Sequence, residues 1–473
     1  MKELNLIFRL VSLFIFLISF FRGDFIFSQT IRELNIVKYC AVGNSLTLNT
    51  NAIRKAIEKA NEHCGVVIIP EGKCLTGTLE MKSNVKLHLE KNDVLLGSTN
   101  PFDYHSLEMK DHLKYLEHDD NSILSLLVAY RGDRISITGS GTIEDQRTGL
   151  VMIINSLYHL AIMKALNCSI RPNEKVRPKL VLFSRSKYVD IENTTLKNPA
   201  CWGLSFDLCE QLVLKKLHVV NAAYSNNDGM DMFGCKYVLI TDCDLNSADD
   251  GICLKSYYPG YSVDSIYIEN CKVRSEASAF KFGTALHGGF KNVTIDNIKV
   301  FDTYRSAISI ESVAGCDIEN IKVINIIAKD AGNAIFIRLR IRVGKEPRSI
   351  RNVNIGNINF QVPCGWSDIN FYIRSVDPVC HNPITCSISG IPWHSLKDVT
   401  LENIQIAYPG RAFKGQVYFP LLRMNDFPER IGNYIVFSLF GERPVWAFYV
   451  RHASDIKLKN IVMGLENELN LTK

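Results

Sequence analysis

A short phrase of residues recurs through most of the chain and limits the folds that the chain can adopt. Apolar and polar residues alternate before an Asn or Asp, as in Val189-Asp-Ile191-Glu-Asn193. Further copies end at Asp242, Asn270, Asn297, Asn320, Asn357, Asn403 and Asn460. If Lys216 is taken to occupy the Asn/Asp position of one copy, the steps between these positions from residue 193 to residue 320 are 23, 26, 28, 27 and 23 residues. A period of about 25 residues that varies slightly predicts a solenoid whose turns differ in length.

The apolar positions of the repeat predict β-strands. They alternate at period two, are rich in β-branched side chains, and are bounded by Asn, Asp, Gly and Ser. A leucine-rich repeat would need a Leu scaffold with a helical half, which the sequence lacks. The pattern therefore predicts an all-β protein, a parallel β-helix whose coils stack about 4.8 Å apart. The recurrent Asn suits a left-handed turn and an amide ladder between coils, whereas a single such Asn would indicate only an ordinary turn.

Other segments are expected to cap or interrupt the solenoid. Apolar residues recur at helical spacing from Thr50 to His63, which predicts an amphipathic capping helix, and a strand from Val66 to Ile69 follows. Two stretches break the period, Asp145 to Lys179 and Cys364 to Leu396. We expect both to be loops that shape a cleft on the solenoid wall.

Composition excludes several classes of protein. Of the 473 residues, 47% are hydrophobic and 22% are charged, which is typical of a globular chain rather than a disordered one. The net charge of +5 is too diffuse for a nucleic-acid partner. The 14 cysteines fall mostly in apolar strands. We interpret most of them as core residues, with room for one or two disulfide bridges.

The first thirty residues differ from the rest of the chain. Lys2 and Arg9 precede twelve apolar residues, Leu10 to Phe21, and a polar stretch follows. Twelve helical residues rise about 18 Å, short of the roughly 30 Å hydrocarbon core of a bilayer. We therefore predict a signal peptide over residues 1–28, in preference to an uncleaved anchor or a buried helix. One β-helix domain is predicted over residues 39–473. The expected location is periplasmic or secreted.

Acidic residues gather on two adjacent coils of the predicted solenoid. Asp228 and Asp231 follow Asn226-Asn227 on one coil, and Asp249 and Asp250 begin the next, which also carries Lys255. Asp228 and Asp250 are 22 residues apart, so we expect them to be neighbours across a rung. Crowding raises the pKa of at least one carboxyl group, as a general acid requires. Carboxyl groups on adjacent coils also suit inverting glycosidases, which use two carboxyl groups about 6.5–9.5 Å apart. The alternatives are a turn without function and a calcium site.

Several short motifs are spread over the chain from about Tyr39 to its end: Ala41-Val42-Gly43, Pro70-Glu-Gly72, Leu75-Thr-Gly77, Gly139-Ser-Gly141-Thr-Ile143, Arg177-Pro178, Asn226-Asn227-Asp228 and Asp249-Asp250. Through these motifs the chain resembles glycoside hydrolase family 28, the polygalacturonases and rhamnogalacturonan hydrolases. The resemblance implies a single-stranded right-handed parallel β-helix of the pectin-lyase-like type. It also implies that Asp249 is the general acid, that Asp228 and Asp250 hold the attacking water, and that hydrolysis inverts the anomeric configuration.

Two family motifs are altered here. Ser278 stands where the family's Gly-His-Gly motif has its His, and His287 lies nine residues later. Ser309-Ile310-Glu311 stands where the family has Arg-Ile-Lys, so we expect Glu311 to repel a galacturonate in that subsite. Cations elsewhere in the expected cleft could compensate. The candidate substrate-binding residues are Asn226, Asp231, Lys255, Lys281, His287, Arg305, Glu311, Arg338 and Arg340.

The resemblance implies a hydrolase of α-galacturonosyl linkages in pectic polysaccharides, either galacturonan or rhamnogalacturonan. The altered motifs favour an exo-acting galacturonidase or a rhamnogalacturonan-directed enzyme over an endo-hydrolase of homogalacturonan. We expect a monomer with no cofactor, no metal ion, and no membrane contact beyond the signal peptide. A non-catalytic carbohydrate-binding β-helix and a calcium-dependent pectic lyase are the alternative hypotheses.

Overall fold

The protein is described here from a computed structural model. The described residues are 32–110, 122–160, 162, 174–222, 227–312, 315–341, 347–363, 386–409, 425, 429, 431 and 448–465. The predicted signal peptide and Asn226 lie outside these ranges. Within them, no helix is both long enough and apolar enough to cross a membrane.

Within the described ranges, two α-helices accompany the strands. Helix α1 spans Thr50–Asn61 and buries Ile53 and Ala56 against the first coils, as predicted for a capping helix. Helix α2 spans Arg147–His159, within a stretch that we expected to be a loop. Its buried side chains include Leu150 and Ile154, so apolar residues spaced for a helix face account for the difference. Short 3₁₀ helices lie at Ile36–Tyr39, Pro101–Asp103 and Glu174–Val176.

The strands pair in parallel with their counterparts on neighbouring coils and form three faces. The first face contains β1 (Glu33–Asn35), β2 (Val66–Ile69), β5 (Lys86–Leu89), β8 (Asp133–Thr138), β11 (Lys187–Glu192), β14 (Glu210–Lys215), β17 (Lys236–Thr241) and β20 (Val263–Glu269). The second face contains β3 (Gly72–Thr76), β6 (Asp93–Gly97), β9 (Thr142–Glu144), β12 (Thr195–Lys197), β15 (His218–Asn221), β18 (Asp244–Ser247) and β21 (Lys272–Ser275). The third face contains β4 (Leu79–Glu80), β7 (Ser125–Tyr130), β10 (Lys179–Ser184), β13 (Leu204–Asp207), β16 (Met230–Phe233), β19 (Ile252–Ser256), β22 (Phe280–Leu286), β26 (Cys386–Ser389) and β28 (Phe448–Arg451).

Longer strands run through the corners of the later coils and contribute to more than one face. They are β23 (Phe290–Ser312), β24 (Ile318–Leu339), β25 (Ile350–Gln361), β27 (Leu396–Tyr408) and β29 (Ala453–Leu465). Strand β1 lies ahead of residue 39, where we predicted the β-helix to begin, and it pairs with β2. Strand β26 lies within the second stretch that we expected to be a loop.

The interior of the coils is a continuous apolar core. Alternate residues such as Val189 and Ile191 point inward, where they are fully buried. Eleven of the cysteines lie in the described part of the chain, nine of them are buried, and none of the eleven forms a disulfide. The prediction that most cysteines are core residues is thus confirmed for these positions.

The predicted amide ladder is present at the corner between the first and second faces. Asn357 donates from Nδ2 to Oδ1 of Asn325 at 3.0 Å, and Asn403 donates to Asn357 at 3.0 Å. Asn460 continues the ladder to Asn403 at 3.0 Å. All four residues have φ between 51° and 59°, the left-handed region that Asn tolerates better than most residues.

The prediction that Asn320 belongs to this ladder was wrong. Asn325, and not Asn320, follows Asn297 in register, because Ile298 pairs with Ile326. Asn320 belongs to a second ladder, in which its Nδ2 donates to Asn292 at 3.0 Å. Each later coil has a left-handed Asn or Asp at more than one turn, so the phrase that ends in Asn occurs at two phases of the repeat.

Replacing Asn357 by Ala tests the ladder. The variant loses two inter-coil hydrogen bonds and places a less tolerant residue at a φ of 55°. We expect the free energy of unfolding to fall by about 1–2 kcal/mol, because these bonds are exposed to solvent. Chemical denaturation measures the change. Asn357→Gly should lose less, since Gly accepts positive φ, and an Ala variant as stable as the wild type would contradict the ladder's role.

Candidate active site

Polar side chains stack outward on the third face. Asp231 on β16, Cys253 on β19, Lys281 on β22 and Ser309 on β23 are paired in register from coil to coil. The residues that follow them point into the apolar core: Met232, Leu254, Phe282 and Ile310. Since successive strand residues face opposite sides, the same alternation that builds the core fixes the outward direction of this polar column.

Lys255 contacts two carboxylates of the preceding coil. Its Nζ lies 2.8 Å from Asp228 Oδ2 and 2.6 Å from Asp231 Oδ1. Burial alone would lower the pKa of Lys255, but these two carboxylates hold it well above the ordinary value, so the ammonium stays charged. Burial and the Asp231 carboxylate raise the pKa of Asp228 well above its usual range, despite the contact with Lys255.

Asp250 has the opposite electrostatic environment. Burial disfavours its charge, but the Lys281 ammonium at 2.8 Å from its Oδ2 outweighs burial, and its pKa lies below the ordinary value. The backbone N–H of Ser278, the residue at the family's His position, donates to Asp250 Oδ1 at 3.0 Å. Asp250 is therefore held as a carboxylate.

Asp249 is the more exposed of this Asp pair. Its side chain is half-buried, whereas Asp250 is only 3% exposed. Burial, together with the Asp228 and Asp250 carboxylates, raises the pKa of Asp249 to about 6. Ser275 Oγ donates to the backbone carbonyl of Asp249 at 2.6 Å and fixes the turn. Two consecutive aspartates thus have pKa values shifted in opposite directions, as a general acid and a general base require.

Asp228 and Asp250 are close enough to share one small ligand. Oxygens of these two carboxylates and the Cys253 thiol all lie within 4.8 Å of one another. Two hydrogen bonds of about 2.8 Å each span up to about 5.6 Å, so one water can be bonded by both carboxylates. The set suits calcium poorly, because that ion takes six to eight oxygen ligands and one donor here is a thiol.

An aromatic stack that the sequence did not predict supports this cluster. The rings of Trp202 and Phe233 stack with centroids 5.7 Å apart, and Phe233 stacks on Tyr257 at 5.1 Å. Lys255 Nζ lies 3.6 Å from the Trp202 ring centroid, and Lys179 Nζ lies 4.6 Å from it. Burial lowers the pKa of Lys179 to about 8. Of the three aromatic residues only Phe233 lies in a strand, so the strand pattern of the sequence does not identify the stack.

Glu311 is buried beside the Asp250 and Lys281 pair. It is 2% exposed, and Ser309 Oγ donates to its Oε1 at 2.5 Å. Burial raises the pKa of Glu311 to about 7, and the nearby Lys281 ammonium only partly offsets this. At neutral pH, Glu311 is therefore partly protonated, and the negative charge that we expected it to present is reduced.

Replacing Glu311 by Gln tests this protonation. The folded-state pKa lies above the ordinary value of 4.5, so the stabilisation from the bound proton is complete below about pH 4.5 and is lost as pH rises through about 7. The Glu311→Gln variant has no such proton to lose. As the pH rises across this window, we expect the free energy of unfolding of the variant to increase relative to that of the wild type by up to about 3 kcal/mol, measured by urea unfolding at each pH. Glu402→Gln, at an exposed site, is the control. An identical pH dependence in wild type and Glu311→Gln would contradict the assignment.

The remaining predicted substrate-binding residues that the structure describes lie on coils that follow the one of Asp249 and Asp250. Arg305 interacts electrostatically with Asp249 and Asp250, and His287 is half-buried after β22. Arg338 is in register with Glu311 but contacts Ser389 and Glu429. The last two are Arg340, which is fully buried, and Asn226, which lies outside the described residues. Contact with substrate stays a prediction for all of them.

Similarity to known proteins extends over much of the chain. Residues 64–387 match the family model described as Glycosyl hydrolases family 28. A probable polygalacturonase of Vitis vinifera is 24% identical over 294 residues, which are 59% of this chain and 57% of that protein. An exo-poly-alpha-D-galacturonosidase of Dickeya chrysanthemi is 25% identical over 254 residues, 47% of this chain and 41% of that protein. The matches span about half the length of these curated relatives.

Comparison with solved structures supports the fold. The family 28 exopolygalacturonase of Yersinia enterocolitica aligns with a TM-score of 0.65 at 16% identity, covering 91% of this chain and 78% of that chain. The predicted right-handed parallel β-helix with an N-terminal capping helix is confirmed. The match to the family model covers more than half of the chain, so the predicted membership of a family of O-glycosyl hydrolases is confirmed. The chain therefore belongs to glycosyl hydrolases family 28.

Proposed function

We propose that the protein hydrolyses α-galacturonosyl linkages of pectic polysaccharides with inversion of configuration. The observation that carries this proposal is the pair of adjacent aspartates with opposite pKa shifts, Asp249 raised to about 6 and Asp250 below its ordinary value. One carboxyl that keeps a proton and one that stays ionised are the two groups that glycoside hydrolysis needs.

In the proposed reaction, Asp249 protonates the glycosidic oxygen as the bond to the anomeric carbon breaks. A water bonded by Asp228 and Asp250 attacks that carbon from the opposite side of the ring, and the Asp250 carboxylate takes up its proton. Asp250 suits the role of base because Lys281 and the Ser278 N–H keep it ionised. Attack from the side opposite the leaving group inverts the anomeric centre.

We further propose an exo-acting or rhamnogalacturonan-directed enzyme. The names of the Dickeya relative and the Yersinia structure both describe exo-acting galacturonan hydrolases, which favours exo action. Glu311 beside Lys281 offers a carboxyl where an endo-hydrolase of homogalacturonan would be expected to offer a cation. A neutral sugar hydroxyl suits such a carboxyl better than a uronate does, and this favours a backbone that contains rhamnose.

The pH dependence of hydrolysis tests the role of Asp249. Only the protonated acid can assist departure of the leaving group, so kcat on galacturonan should fall as pH rises above about 6, by about tenfold per pH unit. Initial rates of reducing-sugar release across pH 4–9 measure the profile. A rate that rises continuously towards alkaline pH would contradict an acid role for Asp249 and would favour a lyase.

Product analysis separates the remaining possibilities. The protein is incubated with homogalacturonan and with rhamnogalacturonan oligomers, and products are sized and examined by NMR. Release of monomer alone, initially as the β-anomer, is the result expected for exo action, and a ladder of oligomers overturns that part of the proposal. Products that absorb in the ultraviolet through a new double bond would indicate a lyase. Binding without any product would indicate a carbohydrate-binding β-helix.

A further inference from the structure

A second group of outward-facing polar residues lies on the third face, beginning at Glu311 and extending away from the proposed catalytic aspartates. Glu311 on β23, Arg338 on β24, Ser389 on β26 and Arg451 on β28 are paired in register. Coils are spaced by about 4.8 Å, which places Arg451 about 14 Å from Glu311 along the solenoid axis. The third face is therefore polar well past the catalytic centre, in the direction of the C-terminal coils.

One carboxylate lies at the centre of this second site. Glu429 Oε2 is 3.3 Å from Arg338 Nη2, and Glu429 Oε1 is 3.2 Å from Arg451 Nη1. His452 Nε2 lies 2.9 Å from the same Oε1. Two guanidiniums and an imidazole thus converge on one carboxylate, so among the described residues of this cluster the arginines exceed the carboxylates by one.

The two guanidiniums are held in place independently of that carboxylate. Arg338 Nη1 donates to Ser389 Oγ at 2.7 Å, and Arg338 itself is 2% exposed. Arg451 Nη2 donates to Asn425 Oδ1 at 2.8 Å, and its Nη1 donates to the Tyr449 hydroxyl at 3.2 Å. Arg338 Nη2 also donates to the backbone carbonyl of Glu429 at 2.7 Å. The cations are therefore pre-organised, and they would keep these contacts if only the Glu429 side chain moved away.

The partly open side of the cluster is formed by Glu429, Arg451 and His452. Their side chains are 18%, 15% and 20% exposed, respectively, whereas the Arg338 side chain is buried on the opposite side of the cluster. A carboxylate from solution can reach this side if Glu429 yields its place. A cation at each of the two carboxylate oxygens, fixed side chains and partial exposure are the properties of a site that binds a carboxylate ligand.

We propose that Arg338, Arg451 and His452 form a distal carboxylate-binding subsite, which Glu429 occupies in this structure and exchanges for a uronate carboxylate of the substrate. This inference rests on the proposed function, because it assumes an acidic glycan lying along the third face. Its consequence is that affinity depends on chain length, since only an oligomer long enough to reach from the catalytic aspartates to Arg451 makes the distal contact.

Binding measurements on a protein that does not turn over the ligand test the proposal. In an Asp249→Asn background, galacturonic acid oligomers of two and of five residues are titrated by calorimetry. We expect the longer oligomer to bind more tightly. Arg451→Gln should weaken its binding at least about tenfold and leave the dimer unaffected, because a charge-assisted contact with a carboxylate is lost. Equal binding of the pentamer with and without Arg451→Gln would overturn the subsite.

Glu429→Gln gives an effect of opposite sign. If Glu429 competes with the substrate, the variant binds the pentamer more tightly, and the pentamer raises its melting temperature more than it raises that of the parent. If Glu429 only holds its own segment of the chain in place, the affinity for the pentamer stays the same or falls. That result overturns the proposal that a substrate carboxylate replaces Glu429. Arg351→Gln is the matched control, because Arg351 and Glu319 form another arginine–glutamate pair between coils, on the first face.

The two proposals can fail separately. A wild type that hydrolyses no pectic polymer overturns the proposed function, and the titrations still decide the subsite because they need no turnover. A wild type that hydrolyses galacturonan while the background protein binds dimer and pentamer equally overturns the subsite and leaves the proposed function in place.

Discussion

Replacing Asp249 by Asn should lower kcat on galacturonan by about a thousandfold while leaving the fold intact. A positioned general acid contributes about 10²–10⁴ in rate, and the amide cannot donate a proton to the leaving oxygen. Because the side chain is half-buried and the amide has the same shape, the melting temperature should change little. The measurement is kcat from reducing-sugar release, with thermal unfolding alongside.

The chemistry of the leaving group distinguishes an acid from a structural residue. A galacturonide with a good aryl leaving group needs little protonation, so the Asp249→Asn protein should lose much less activity on it than on the polysaccharide. Asp242→Asn is the control, since Asp242 is an exposed turn residue with a φ of 58° that Asn accommodates. Retention of more than a tenth of the activity by Asp249→Asn would exclude it as the acid.

Replacing Lys255 by Met should destabilise the protein by about 3–5 kcal/mol and abolish hydrolysis. The ammonium contacts Asp228 at 2.8 Å and Asp231 at 2.6 Å, and it lies 3.6 Å from the centre of the Trp202 ring. Its removal leaves two buried carboxylates without their shared cation, which costs far more than the loss of a surface ion pair. Urea unfolding at pH 7 measures the change in free energy.

A double substitution identifies the cause of that loss. Adding Asp231→Asn to Lys255→Met removes one of the two unpaired charges, so the double variant should recover part of the stability. Lys299→Met, at an exposed position on β23, should alter stability by less than about 0.5 kcal/mol. A double variant less stable than the single one would show that charge pairing is not what Lys255 provides.

Periodicity made most of the fold predictable from the sequence. Alternation fixed which residues point inward, and the recurrent Asn located the left-handed turns, because both effects are local in the chain. Assigning Asn320 to the wrong ladder shows the limit: turns at two phases carry the same residue type, and only strand pairing separates them. Helix α2 was missed because its stretch breaks the period, although its apolar spacing suits a helix.

The acidic cluster was predictable because residues that are one coil apart in the sequence of a solenoid lie next to each other in space. Asp228 and Asp250 are one coil apart in sequence, and their carboxylates, with the Cys253 thiol, lie within 4.8 Å of one another. Lys179 and Glu429 were not predictable in this way. Lys179 reaches the cluster from two coils earlier, and Glu429 lies outside the regular strands, so no repeat spacing relates them to their partners.

The amide ladders also have a direction. In both of them every Asn Nδ2 donates towards the preceding coil, and the first acceptor is a carboxylate, Asp264 in one ladder and Asp296 in the other. Aligned amide dipoles direct their positive ends towards that side, where an anion is favoured for the same reason as at a helix N-terminus. A carboxylate has no N–H to donate further, so each ladder begins there. A coil inserted with Asn at this corner would extend a ladder, whereas one inserted with Asp would divide it into two.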